Sequence, residues 1–123
     1  MRVHVAFTPG EQTPAPVGVV VDVLRATSTI CQALASGYGR VLCCAEIEEA
    51  RALAASEGPA KLAGERRLEP IEGFDFGNSP AELEGQAAAE TLILTTTNGT
   101  RLLVAAAERF DRVYVGSLLN LDA

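Results

Sequence analysis

Two short segments concentrate side chains able to handle an anion. Asp22-Val23-Leu24-Arg25-Ala26-Thr27-Ser28-Thr29 sets a carboxylate after an apolar run, a guanidinium three residues on, and then three consecutive hydroxyls. Thr95-Thr96-Thr97-Asn98-Gly99-Thr100-Arg101 follows the same scheme, with hydroxyls, an Asn-Gly pair and an arginine. At each, a strand is expected to end and a helix to begin. A helix N-terminus presents unpaired N–H groups and the positive end of the helix dipole, which suit a phosphate. An arginine adds charge-assisted bonds of about 1.5–3 kcal/mol each. Hydroxyls also serve as plain N-caps and Asn-Gly as a plain turn, but two such junctions, each with an arginine, favour an anion site. Asp75, Asn78 and Asn120 also lie in polar segments. In an open α/β sheet such positions converge at the carboxyl ends of the strands, although Asn and Asp equally favour turns.

Other chemistries find less support. The chain lacks GxxxxGK[ST], and Gly37-Tyr38-Gly39 is not continued as GxGxxG, so neither a P-loop nor a dinucleotide fingerprint is present. A phosphoacceptor receiver domain would need a late lysine, and the only lysine is Lys61, in mid-chain. Cys31, Cys43 and Cys44 form no CxxC pair, and adjacent strand residues point to opposite faces, so they read as small buried apolar residues in a reduced compartment. His4 is the only histidine and alternates with valines, which argues against a histidine triad or a zinc site.

These residues need elements to position them. Residues 2–7 alternate as a strand, and a Pro-rich loop follows to Pro16. Residues 17–22 form a near-continuous apolar run, expected to be a strand buried on both faces. A helix is expected through Ile30, Leu34 and Ala35 to Gly37, a strand at 40–45, an Ala-rich helix at 46–57 and a short strand at 60–63. Residues 64–78 read as irregular, with Arg66 and Arg67 facing solvent or pairing with nearby glutamates. Ser79-Pro80-Ala81-Glu82 has the form of a helix start. A strand at 91–95, a turn at 96–99, a helix at 100–109 and a strand at 112–115 complete the pattern. This alternation predicts an α/β fold, a mainly parallel sheet in a three-layer α/β/α arrangement, as one domain over residues 1–123. Sixteen acidic against ten basic residues give a net charge of −6, which argues against general nucleic-acid binding. No apolar run reaches the ~18–20 residues of a bilayer span and the first residues lack a signal-peptide core. The expected location is cytoplasmic, with no membrane partner.

Taken together, the Asp22–Thr29 string, Gly64-Glu65-Arg66, Gly73-Phe74-Asp75-Phe76-Gly77-Asn78-Ser79-Pro80, Thr96-Thr97-Asn98-Gly99-Thr100 and Gly116-Ser117-Leu118-Leu119-Asn120 resemble the 2-phosphosulfolactate phosphatase family. The five strings fall in one order across residues 22 to 120. The resemblance implies an α/β, magnesium-dependent acid phosphatase that hydrolyses 2-phospho-3-sulfolactate to sulfolactate and phosphate on the route to coenzyme M. Family chains run to about twice this length, so the sequence is expected to correspond to an N-terminal half, truncated at its C-terminal end.

On that expectation Mg²⁺ sits on Asp22, with Glu65 or Asp75 as the second carboxylate. Asp22 is alternatively the nucleophile that accepts the phosphoryl group. Arg25 acts with Asp22 in catalysis, Thr27, Ser28 and Thr29 hold phosphate oxygens, and Thr97, Asn98, Gly99 and Thr100 close from the second junction. Arg101 binds a sulfonate or carboxylate or lies on a helix surface, and Asn78 and Asn120 contact substrate. The expected partner is a small anionic phosphate ester, and a homo-oligomer is conceivable. Two rival readings are an inactive anion-binding module and a purely structural or oligomerisation fragment.

Overall fold

The computed structural model describes residues 1–86 and 89–123. Its order is β1 (Val17–Val21), α1 (Ala26–Ala35), β2 (Arg40–Cys44), α2 (Ile47–Ser56), β3 (Ala60–Arg66), β4 (Glu69–Pro70), α3 (Pro80–Leu83), β5 (Thr91–Thr95), α4 (Gly99–Ala107) and β6 (Arg112–Gly116). Single 3-10 turns occupy Pro9–Glu11 and Leu118–Asn120. The strands β2, β5 and β3 run parallel, with Arg40 and Ala60 both opposite Thr91, and β4 folds back antiparallel on β3. β1 and β6 form a separate parallel pair, Val17 opposite Arg112 and Val21 opposite Gly116.

β5 is the centre of the fold, because every one of its residues is buried. Alternation sends Leu92 and Leu94 to one face, where they pack with Ile30 and Ala33 of α1, Leu83 of α3 and Leu103 and Ala106 of α4. Ile93 points the other way, onto Cys44 and Ala50, with Leu53 of α2 against them. Helices therefore cover both faces of the β2–β5–β3 sheet, giving the α/β fold and the three layers expected. Cys43 and Cys44 divide between those faces, and all three cysteines are free thiols. Burial, aided by the neighbouring Cys44, pushes the Cys43 thiol up to about 12.

Local chemistry sets the ends of the elements. α1 stops where Gly37 takes φ 108°, with the Gly37 and Tyr38 amides donating to the carbonyls of Leu34 and Ala33. This is the paired closure that a left-handed glycine permits. α2 opens with Glu48 and Glu49 at its positive end, and Gly58 follows its last turn at φ 75°.

Three expectations are corrected. Residues 2–7 form no strand; Val3, Val5 and Phe7 are exposed, and no described strand pairs with them, so their alternation has no sheet to serve. β1 is not buried on both faces: Val17, Val19 and Val21 point outward and are 44–62% exposed, because nothing described packs over that side of the β1–β6 pair. The irregular stretch from Gly64 is in fact ordered, as β3 runs on to Arg66 and turns into β4. Gly64 makes this possible, since at φ 152° it lies against the Thr95 carbonyl where any Cβ would collide. No helix among the described residues is long and apolar enough to cross a membrane.

Candidate active site

A cleft of about 760 Å³ opens where β1, β3 and β5 end. Among its walls are Asp22, Arg25, Glu65, Arg67, Asn78, Thr97, Asn98, Gly99 and Arg101. The residues come from four connections in the chain, which the fold brings together in space.

The β1–α1 junction supplies Asp22 and Arg25. The Asp22 amide donates to Thr27 Oγ1 at 2.9 Å, and its carbonyl accepts from the Thr27 amide at 3.0 Å. Among the described residues its carboxylate Oδ2 takes a single long bond of 3.4 Å, from the Ala26 amide. Ser28 Oγ donates to the Val23 carbonyl and pairs with Ser117 Oγ at 2.8 Å, while Thr29 Oγ1 donates to the Arg25 carbonyl at 3.1 Å. The three hydroxyls expected to hold phosphate are thus buried and bonded to the backbone and to Ser117. They fix the loop that carries Asp22 and Arg25, and none of them lines the cleft. The Leu24–Arg25 peptide within this loop is cis.

The β5–α4 junction is built in the same manner. The Thr96 amide donates to Thr100 Oγ1 at 2.8 Å and the Thr100 amide to Thr96 Oγ1 at 3.0 Å, a reciprocal cap that buries both hydroxyls. Thr100 is consequently internal, whereas Thr97, Asn98 and Gly99 face the cleft. Gly99 lies directly against Asp22: a Cβ there would stand 2.5 Å from Asp22 Oδ2 and closer still to the Ala26 side chain. The N-termini of α1 and α4 therefore meet at the Asp22 carboxylate.

Glu65 closes a third side. Its side chain is buried, with Oε1 accepting from the Thr97 amide at 2.6 Å and Oε2 accepting from Thr97 Oγ1 and the Leu68 amide, each at 2.8 Å. Burial alone would raise its pKa, but the bonds from Thr97 and Leu68 and the nearby Arg66 outweigh it and hold the carboxyl below its ordinary value. The Glu65–Thr97 pair in turn grips the β3–β4 hairpin, because the Arg67 amide donates to Thr97 Oγ1 at 3.0 Å. Arg67 and Leu68, the two turn residues, take φ 52° and 70°. Such a turn normally uses Asn or Gly, and each other residue costs on the order of 1–2 kcal/mol.

The remaining expected residues are distributed differently. Asp75 is absent from the cleft wall; it pairs with Lys61 at 2.7 Å and accepts from the Leu62 amide at 2.9 Å. Asn120 caps the last 3-10 turn, accepting from the Ser117 amide and donating to the Val115 carbonyl, and lines a separate hollow. Arg101 reaches the cleft but also pairs with Glu46 at 2.9 Å. Asn78 is buried in the cleft wall and its Oδ1 has no hydrogen-bond partner among the described residues.

Sequence reasoning missed two roles. Arg66 is neither free in solvent nor paired with a glutamate; it donates to the Ala45 carbonyl and Thr95 Oγ1, tying the carboxyl ends of β2 and β5 together. Arg67 is exposed, as expected, and its place in the cleft wall is the second role missed. The signal available was the Gly64-Glu65-Arg66-Arg67 string itself, which becomes informative only once residues 64–70 are seen as a hairpin.

Comparison with known proteins identifies the family of the chain. The family model described as 2-phosphosulpholactate phosphatase matches residues 4–123. A probable 2-phosphosulfolactate phosphatase of Symbiobacterium thermophilum is 44% identical over 122 residues, covering 97% of this chain and 52% of that protein. Its namesake in Caldanaerobacter subterraneus is 47% identical over 110 residues, 85% of this chain and 44% of the relative. One from Deinococcus radiodurans is 40% identical over 124 residues, covering 100% of this chain and 51% of its own. The chain spans about half the length of the curated relatives it matches. On the extent of the family match and the identity to these relatives, the chain belongs to the 2-phosphosulpholactate phosphatase family.

Proposed function

We propose that the cleft is the phosphate-ester site of a phosphatase, acting on 2-phospho-3-sulfolactate or a closely similar small monoester. The observation that carries this reading is the Asp22–Arg25 loop, held by buried hydroxyls against the N-termini of two helices. Arg25 has no ion pair among the described residues, so its guanidinium is available to a phosphate dianion.

Mg²⁺ belongs to the same proposal, and the oxygens in the cleft suit it. Asn78 Oδ1 is a buried acceptor without a donor among the described residues, and a phosphate dianion, itself only an acceptor, does not satisfy it. A hard cation does, with the weakly engaged Asp22 carboxylate as the charged ligand. Glu65 and Asp75 fit less well, because hydrogen bonds and Lys61 already engage their oxygens. The described residues hold no cluster of three or more His, Cys, Asp or Glu side chains suited to a metal, so waters and substrate oxygens would have to supply the remaining ligands. Bound there, Mg²⁺ would neutralise charge on the phosphoryl oxygens.

Hydrolysis of a phosphate monoester needs a barrier reduction of about 20 kcal/mol or more, supplied chiefly by positioning and charge neutralisation. Arg25 stabilises the phosphoryl oxygens as the bond to the lactate oxygen breaks and a bond to water oxygen forms. The proton lost by the water ends on the departing alcohol. The fixed Thr97–Glu65 contact keeps the β5–α4 junction rigid through this step. The cytoplasmic setting and the route to coenzyme M belong to this same reading.

The test is phosphate release from 2-phospho-3-sulfolactate with Mg²⁺, measured on this chain with the full-length Symbiobacterium thermophilum relative as reference. Asp22→Asn and Arg25→Ala should each lower turnover by roughly 100-fold or more. If this chain binds the ester without turning it over, loss of calorimetric binding in Arg25→Ala supports the assignment equally. Wild-type behaviour of either variant overturns it.

A further inference from the structure

The hairpin between β3 and β4 is held more firmly than a surface turn requires. Both residues of its tip are left-handed, neither is Gly or Asn, and both of their amides are bonded to one hydrogen-bonded pair, Arg67 to the half-buried Thr97 and Leu68 to the buried Glu65. Glu65, a buried carboxylate, spends both oxygens on this latch. The turn carries Arg67 to the mouth of the cleft, where its side chain makes no ion pair with a described residue. A tip needed only to reverse the chain would be served by Asn-Gly without strain or latch.

The cationic groups of the cleft also divide by position. Arg25 belongs to the β1–α1 loop, whose Asp22 and Ala26 lie against Gly99, whereas the Arg67 backbone is anchored at Thr97 on the β3–β4 hairpin. Arg101 is already engaged by Glu46. An ester bearing a phosphate and a second anionic group therefore meets two guanidiniums without an ion pair among the described residues, carried into the cleft by different loops.

We infer that Arg67 binds the second anion of the ester, a carboxylate or sulfonate, and that Glu65 and Thr97 are the positioning residues that hold it there. This rests on reading the cleft as a phosphate-ester site. Arg67 then discriminates substrates that carry an additional acid group from plain phosphate esters.

The experiment compares calorimetric affinity for 2-phospho-3-sulfolactate with that for inorganic phosphate, taken as a ratio for each protein. Arg67→Ala should lower the ratio about tenfold, and Arg67→Lys should recover part of it. Thr97→Val, which removes the acceptor of the Arg67 amide, should lower the ratio as well, and Thr97→Ser should restore it. Arg25→Ala should weaken both ligands together. A ratio within twofold of wild type in Arg67→Ala overturns the inference while the phosphate site stands. Failure of the wild-type chain to bind either ligand overturns the underlying reading.

Discussion

Replacing Gly99 by alanine tests the placement of the site most directly. The new methyl would stand 2.5 Å from Asp22 Oδ2 and nearer still to Ala26. Comfortable separations between such atoms are about 3.5–4.0 Å, so the N-termini of α1 and α4 must part by about 1 Å. Overpacking of this kind costs about 1–3 kcal/mol, and the better helix propensity of alanine offsets up to ~1 kcal/mol of it. The net loss of about 1–2 kcal/mol should lower the melting temperature by roughly 4–8 °C. The functional loss should be larger, since a displacement of about 1 Å between cooperating groups costs on the order of 100-fold. The assay is thermal denaturation together with binding of 2-phospho-3-sulfolactate. Gly10→Ala is the control, because its added methyl meets nothing nearer than Thr8 Oγ1 at 4.0 Å. If Gly99→Ala melts and binds as Gly10→Ala does, Asp22 is not held between two helix ends and the geometry of the site is refuted.

Two further outcomes follow from the same contacts. Glu65 has its carboxyl held below the ordinary value of 4.5, so its contribution to stability is complete above that value and is lost as pH falls through the lower folded-state value. Glu65→Gln should flatten that acid limb and, by turning a donor toward the Thr97 amide, cost about 1–3 kcal/mol near neutrality; pH-dependent denaturation reads both. Asn78→Ala should weaken Mg²⁺ binding measured by calorimetry with magnesium chloride, whereas Asp75→Asn should not, because Asp75 lies outside the cleft and is paired with Lys61.

The order of strands and helices was legible because alternation, capping signals and glycine stops are local properties of the chain. β5 is Thr91–Thr95 as expected, and α1, α2 and α4 differ from expectation only at their margins. The hairpin was not legible: its strand contains Gly64 and three charged residues, and only pairing with β5 and the approach of the Thr95 carbonyl make such a sequence a strand. The valines of β1 misled in the opposite sense, since an apolar run does not reveal whether a layer covers each face.

The sequence by itself determined which residue types stand at the two junctions and the α/β alternation that carries them. Only the tertiary structure decided how their polar groups are spent. Thr27, Ser28, Thr29 and Thr100 turned inward because buried loop amides and carbonyls need partners, and a neighbouring hydroxyl is the nearest one available. Asp22, Arg25, Arg67 and Asn78 line the cleft, although Arg67 and Asp22 are 45 positions apart in the chain. Hydrogen-bond satisfaction is a property of neighbours in space, and sequence spacing reports neighbours in space only within a helix, a strand or a turn.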